Sequence, residues 1–496
     1  MDVVTDVERA AEPGRRKVAG GVGKNYLAVS AGSLLSRGIS FVTVAYLARV
    51  LGPEAFGELS WAQAALAFGI IVADWGLQTQ GIRVLAERPE DARRTVSTYV
   101  GLRIVLGLLA ATGLAAFGYL AAPSQSTAHL TALYGVTVLA TALLPEWIFI
   151  GLHRMGYVGL TRALQYSCYA GLVFLVVREP GDIFAVPLAS ATGLACAAIL
   201  LYALLRRRLR GWRPAATPNA WRPVVAEATP LAASYIIMQL YLVFPILMLG
   251  WLRSPSDVAY FNGAYRVTVV LNELLNLFLV ALYPVVAERW ARDPDSVGPL
   301  LGHVIRVVVL VTIPLAMGSV VVADPLLRLV FGAEFGPSVL TFQIIAWNFV
   351  LVGINGVYTQ LVLLMHSRQK EFLVVVSVGA VASLLINAVL AARYGHNGAA
   401  VAWLASEGVV AVASYIIARR FVALPLGRHL TKPLIAGGLM AAVCWGLLAV
   451  GAPVVAVIAC GVVVYGVALL LIGAVDSEEI MLFRHLLRRS RGRAVE

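Results

Sequence analysis

Runs of about 20 apolar residues recur along almost the whole chain, and each is long enough to cross a hydrocarbon core of about 30 Å as a helix. They fall near residues 24–49, 57–85, 96–121, 129–151, 160–178, 184–205, 229–252, 259–287, 300–322, 339–365, 372–392, 396–420, 432–450 and 453–475. Hydrocarbon offers the backbone no water, so a spanning segment must satisfy its own N–H and C=O groups, and runs of this length do so as helices. The sequence therefore predicts an all-α polytopic membrane protein of about 14 transmembrane helices. Composition agrees: 60% of the 496 residues are hydrophobic and 13% charged, against about 25% charged in a soluble domain.

Charge placement orients these spans, because Lys and Arg concentrate in short cytoplasmic loops. With the amino terminus inside, about 30 of the 39 basic residues fall in cytoplasmic tails, loops and helix ends. Arg49, Arg178, Arg253, Arg328 and Arg393 fall outside, and Arg37, Arg103, Arg266 and Arg306 fall within spans. Both termini are expected in the cytoplasm. The division that follows is a polar tail (1–23), a first lobe of six helices (24–205), a basic linker (206–228), a second lobe of six (229–420), two additional helices (421–475) and a basic tail (476–496). The net charge of +12 is spread over membrane-proximal segments, which suits anionic lipid headgroups rather than nucleic acid. The polar start lacks the apolar core and cleavage site of a secretory signal. Cys168, Cys196, Cys444 and Cys460 are scattered through apolar runs without metal-ligand spacing, and read as small core residues.

A weak internal repeat supports two lobes of the same orientation. "LARVLGPEAFGELSWAQAA" (47–65) aligns with "LGWLRSPSDVAYFNGAYRV" (249–267), and "GLHRMGYVGL" (151–160) with "LMHSRQKEFL" (364–373). The first pair sits on external turns and the second on cytoplasmic loops, so sidedness is kept.

Polar and ionisable residues inside the runs are the candidate functional groups, since a charge at the bilayer centre costs roughly 2.5–3.5 kcal/mol on insertion scales. In the first run Asn25, Tyr26, Ser30, Ser33, Ser36, Arg37, Ser40 and Thr43 fall within an arc of about 140° at 100° per residue. In the eighth, Asn262, Arg266, Glu273 and Asn276 share about 80°. The tenth adds Asn348, Asn355 and Thr359, and the twelfth Glu407 and Ser414. The stretch "ADWGLQTQGIR" (73–83) places Asp74, Gln78 and Gly81 on one face, with Arg83 on the opposite side, where it would snorkel to the surface. Arg103 suits either cavity lining or snorkelling. Glu146, after Pro145, suggests a fold or gating role, and Pro245, Pro284 and Pro314 suggest bends. The bland reading stands beside each: intramembrane Ser, Thr and Asn often only tie helices together, and Arg266 with Glu273 also fits a structural pair. No phosphate loop, HExxH, GxSxG or dinucleotide fingerprint occurs, and the external loops are short. An enzyme is not expected, nor any cofactor or metal.

Six stretches, "YLARVLGPEAFGELSWAQA" (46–64), "ADWGLQTQGIRVLA" (73–86), "PEWIFIGLHRMGYVGL" (145–160), "ALYPVVAERWARD" (281–293), "FGAEFGPSVLTFQIIAW" (331–347) and "YGHNGAAVAWLASEGVV" (394–410), run in order through nearly the whole chain. In them the sequence resembles the polysaccharide-exporting, oligosaccharide-flippase branch of the multidrug/oligosaccharidyl-lipid/polysaccharide (MOP) transporter superfamily. The resemblance implies two six-helix lobes around a central cavity, two extra carboxyl-terminal helices, and movement of an undecaprenyl-diphosphate-linked sugar repeat from the inner to the outer leaflet of a bacterial cytoplasmic membrane. It implies polysaccharide polymerase and glycosyltransferases as partners. "PEWIFIG" departs from the glutamine-bearing pattern of relatives, with Ile150 where Gln is frequent.

On that reading Arg37, Arg266 and Arg103 are the expected diphosphate contacts. Ser33, Asn262, Asn276, Asn348 and Asn355 would meet sugar hydroxyls. Asp74, Glu273, Glu146 and Glu407 would couple a proton or sodium gradient, or gate. The alternatives are a cation-coupled multidrug exporter, a peptidoglycan-precursor (lipid II-type) flippase and, from another class, a membrane glycan polymerase or ligase, which usually needs a large external loop.

Overall fold

The structure, a computed structural model, describes residues 3–208, 212–215, 218–292, 297–363, 368–422 and 427–473. Among these residues the chain is helical, with no strand. The helices are α1 (Val3–Asp74), α2 (Leu77–Glu87), α3 (Ala92–Ala121), α4 (Gln125–Ala142), α5 (Glu146–Gly151), α6 (Met155–Val176), α7 (Ala185–Arg208), α8 (Pro218–Leu242), α9 (Phe244–Leu252), α10 (Pro255–Arg292), α11 (Val297–Phe331), α12 (Ser338–Ala346), α13 (Asn348–Gly356), α14 (Gln369–Ala418), α15 (Gly427–Ala449) and α16 (Val454–Leu471). A π-helical turn, Val357–Leu363, follows α13. The basic tail (476–496) and part of the linker lie outside the described residues, as do the side chains before Ser36 and that of Pro284.

Ten helical stretches among the described residues are long and apolar enough to cross a membrane, or eleven when α8 and α9, bent by 46°, count as one crossing. Two exceed a single bilayer. Ser36–Glu87 has 52 residues and Gln369–Ala418 has 50, about 75 Å of helix against a core of about 30 Å. Glycine breaks both. Gly52 (φ 68°, ψ 174°) and Gly395 (φ 59°, ψ −137°) adopt backbone conformations that a Cβ disfavours. Pro53 then follows, where its missing N–H costs no helical hydrogen bond. Counting each broken helix as two crossings and adding the more polar α6 gives the fourteen that hydropathy predicts. Exposed Leu120, Leu385 and Leu471 fit hydrocarbon rather than water as the surrounding solvent.

The chain divides into two compact units, Met1–Ala259 and Tyr260–Glu496. In the first, Leu77, Leu85, Val96, Tyr99, Trp147, Phe149 and Leu201 form a buried core. Helices α8 and α9, which the sequence places at the start of the second lobe, pack within this unit. Trp61 Nε1 donates to the Leu247 carbonyl at 3.1 Å, Trp251 Nε1 to that of Ala121 at 2.6 Å, and Trp75 Nε1 to Thr229 Oγ1 at 3.2 Å. Pro245 opens α9 just after the bend, as its ring predicts, whereas Pro314 lies inside the continuous α11. The aligned turns of the first repeat meet here: Gly57 lies against the Pro255 carbonyl with no room for a Cβ.

In the second unit, α10, α11, α13 and the π-turn enclose Leu275, Leu279, Val308, Ile354, Val357 and Tyr358. Helices α15 and α16 pack on α11, where Tyr465 Oη donates to the Leu310 carbonyl at 2.8 Å. Two loops bond back to the preceding helix in similar ways, one position out of the register of the second repeat. The Arg154 N–H reaches back to the Phe149 carbonyl at 2.7 Å and the Arg368 N–H to that of Leu363 at 2.9 Å, in each case just before a long helix, α6 or α14.

Candidate functional site

In the first unit the polar chemistry gathers where helices break. Trp75 (φ 47°) and Gly76 (φ 79°) separate α1 from α2, so helical phase is not carried from Asp74 to Gln78 and Gly81. The face that the sequence assigns to these three is therefore not formed. Asp74 accepts from the Gln78 backbone N–H at 3.3 Å, which caps an orphan donor at the start of α2. Gly81 lies against the Trp147 ring, too close to admit a Cβ. The same Asp74 oxygen holds Arg103 Nη1 at 2.6 Å.

Arg103, on α3, neither snorkels nor presents a free head. Only 3% of its side chain is exposed. Its Nε donates to the Ala142 carbonyl at 2.9 Å and its Nη2 to that of Thr141 at 3.2 Å, so all three guanidinium nitrogens are engaged. Those carbonyls close α4 just before Pro145, and that of Thr141 also accepts the Leu144 N–H at 3.1 Å. One side chain thus joins the end of α1, the start of α2 and the end of α4. Beyond that break, buried Glu146 receives Arg162 of α6, with Nη2 at 2.9 Å and Nε at 3.1 Å from Oε2.

In the second unit a carboxylate meets an amide. Glu407 and Asn355 are both buried, and Asn355 Nδ2 donates to Glu407 Oε2 at 3.0 Å. Ser414 Oγ donates to Asn355 Oδ1 at 3.3 Å, and Thr359 Oγ1 to the Asn355 carbonyl at 2.6 Å, at the π-turn. The Tyr265 ring lies tilted at 58° against that of Trp403, with centroids 5.0 Å apart, and is near both Arg266 and Glu407. The polar stripe of α10 opens along its length: Asn262 is buried, Arg266 and Glu273 are half-buried, and Asn276 is exposed and accepts from Gln360 Nε2 at 3.4 Å.

Residues 22–290, more than half of the chain, match the family described as polysaccharide biosynthesis protein. The chain belongs to that family. Among curated relatives of this polysaccharide biosynthesis protein, a "Putative O-antigen transporter" of Escherichia coli (strain K12) is 24% identical over 390 residues, 78% of this chain and 93% of the relative. A "Probable low-salt glycan biosynthesis flippase Agl15" of Haloferax volcanii is 23% identical over 385 residues, 76% of this chain and 79% of the relative. Among solved structures, a lipid II flippase, MurJ, in an inward closed conformation superposes with a TM-score of 0.74 at 14% identity, covering 93% of this chain and all of that one. A multidrug resistance MATE transporter of the MOP superfamily in its inward-facing conformation superposes at 0.64 and 12% identity, covering 77% and 93%. The fold is that of MOP superfamily transporters.

Within this family member the expected site residues separate into groups. Asp74 meets Arg103, and Asn355 meets Glu407. Arg37 is exposed, while Ser36 and Thr43 on the same helix are buried. Asn348 is fully buried, and neither polar atom of its side chain has a protein partner. Ser33 lies outside the residues whose side chains are described. Exposed Arg83 pairs with Glu87 one turn on, at 2.9 Å. Sequence reasoning passed over Arg162, which lies 16 positions beyond Glu146 across a short connection. It also passed over Glu58, which accepts from Ser124 and Ser126 at the start of α4. A capping serine at the head of a run was the available signal for the second.

Proposed function

We propose that this chain is a flippase that carries an undecaprenyl-diphosphate-linked oligosaccharide repeat unit from the cytoplasmic to the outer leaflet of a bacterial inner membrane by alternating access, with both termini in the cytoplasm. The observation that supports it most is the match to the O-antigen relative over 93% of that protein's length. The glycan biosynthesis relative from Haloferax volcanii points the same way. The physics is compatible: a diphosphate and a glycan cannot cross hydrocarbon unassisted, because burying unpaired charge is very costly, whereas the lipid tail stays in the bilayer.

In this reading Arg37 and Arg266 are each a candidate diphosphate contact. Arg103, with its guanidinium engaged by Asp74 and two carbonyls, acts by positioning helices instead. Asn262 and Asn276 on α10 face sugar hydroxyls, and Glu273 and Glu407 respond to a coupling proton or sodium ion. Polymerase and glycosyltransferase partners would supply and consume the lipid-linked unit.

The test is leaflet-resolved quantification of polyprenyl-diphosphate oligosaccharides in cells with and without the gene. A complete repeat unit is expected to accumulate on the cytoplasmic leaflet, with reversal by the wild-type gene but not by Arg37→Ala or Arg266→Ala at equal abundance. Accumulation of the peptidoglycan precursor instead would make the chain a lipid II-type flippase. Absence of any lipid-linked accumulation, with redundant flippases removed, would overturn the reading in favour of drug export.

A further inference from the structure

Cys168 and Cys196 are 28 positions apart in sequence, and their Sγ atoms lie 3.8 Å apart in the first unit. Both are free thiols and half-buried. They sit on adjacent helices, α6 and α7, at a crossing where Gly193 presses on the Gln165 carbonyl and Tyr169 with no room for a Cβ. This approach of the two backbones gives the sulfurs their proximity, and only a small further shift would bring them to the bonding length of about 2.05 Å.

Depth decides which chemistry can reach them. Counting 1.5 Å per residue from the ends of Met155–Val176 and Ala185–Arg208, both thiols lie about 12–20 Å from either end, inside the hydrocarbon core. Glutathione and its protein relatives, which keep cytosolic thiols reduced, are water-soluble and excluded from that depth. Apolar two-electron oxidants are not.

We propose that Cys168 and Cys196 form a redox-active thiol pair that a membrane-soluble quinone oxidises to a disulfide linking α6 to α7. The step balances: two S–H bonds break, one S–S bond forms, and the two protons and two electrons reduce the quinone to its hydroquinone. The product joins α6 to α7 about one turn from the tight Gly193 contact. Cys444 and Cys460, in the second unit, are the built-in comparison. Cys444 Sγ donates to the Val457 carbonyl at 3.6 Å.

The experiment uses the full chain in lipid vesicles exposed to duroquinone, whose fully methylated ring blocks thiol addition, followed by denaturation, maleimide labelling and tryptic mass mapping. Cleavage isolates Cys168 in residues 163–178 and Cys196 in 179–206. The expected result is loss of the maleimide adduct on both peptides together, their appearance as one linked species that dithiothreitol separates, and unchanged labelling of Cys444 and Cys460. Cys168→Ser should restore labelling of Cys196 after quinone. The inference is overturned if both peptides stay labelled after quinone, if either sulfur is oxidised alone, or if the link joins either cysteine to Cys444, Cys460 or another chain. These readouts do not depend on transport, so they succeed or fail independently of the proposed function.

Discussion

Both units hold a carboxylate within an apolar span, and hydrogen bonds tie each to a different group: Asp74, part-exposed at the end of α1, and Glu407, buried within α14. In the first, Asp74 meets a guanidinium that also closes the carbonyl end of α4. In the second, Glu407 meets an amide, and that amide in turn receives a hydroxyl. The difference matters because the two arrangements tolerate loss of a member unequally. Removing one member of a buried ion pair leaves an uncompensated charge, at about 3–5 kcal/mol. Removing one member of a hydrogen bond to an amide leaves an unsatisfied group, at about 1–3 kcal/mol. The first arrangement is therefore a structural joint between broken helices. The second is a softer tie between α13 and α14.

The sharpest test of that contrast is Arg103→Ala. It takes from Asp74 its guanidinium and uncovers the Ala142 carbonyl at once, so a loss of at most about 3–5 kcal/mol is expected in denaturant unfolding of the purified protein, together with a fall in membrane abundance. The double variant Asp74→Ala with Arg103→Ala should cost less than the sum of the single variants, because each single change bears the cost of the orphaned partner. Strict additivity would break the comparison, since it would mean that the pair contributes no coupling.

Next in size is Glu407→Ala, which takes from Asn355 Nδ2 its carboxylate acceptor in a buried site and leaves it the Glu407 backbone carbonyl at 3.4 Å, at about 1–2 kcal/mol. Glu407→Gln keeps an acceptor oxygen of nearly the same shape and should recover most of that loss in the same unfolding measurement. If Gln were as damaging as Ala, the negative charge rather than the hydrogen bond would hold the tie, and the second unit would resemble the first.

These two sites also mark how far the sequence could be read. Hydropathy located the spans, because a membrane helix must be apolar along its whole length, and "VLGPE" carries its own explanation as a helix break. Asp74 and Arg103 were both visible as charges in apolar runs, but not as partners. Periodicity reports which face of one helix a residue occupies, not which helix lies opposite, and the Trp75–Gly76 break removed even that phase. Asn355, Glu407 and Ser414 were likewise legible singly, with their meeting fixed by packing of α13 on α14 between residues 52 and 59 positions apart. Cys168 and Cys196 gave no signal, since a shared spacing motif is absent and only the crossing of α6 and α7 brings them together.

The smallest effect is expected at the far end of the softer tie. Ser414 Oγ donates to Asn355 Oδ1 at 3.3 Å, but it also lies 3.0 Å from the Ala411 carbonyl of its own helix. A hydroxyl with a second acceptor on the same helix keeps that bond even when α14 separates from α13, so little of its hydrogen-bond energy belongs to the contact between helices. Interhelical hydrogen bonds within membranes average about 0.6 kcal/mol, and Ser414→Ala should fall near or below that value, with abundance unchanged. A loss approaching that of Glu407→Ala would show that Ser414 orients the Asn355 amide: without it the amide would turn and the carboxylate would lose its donor. The amide, carboxylate and hydroxyl would then act as one unit, and the comparison would narrow to two rigid joints built from different groups.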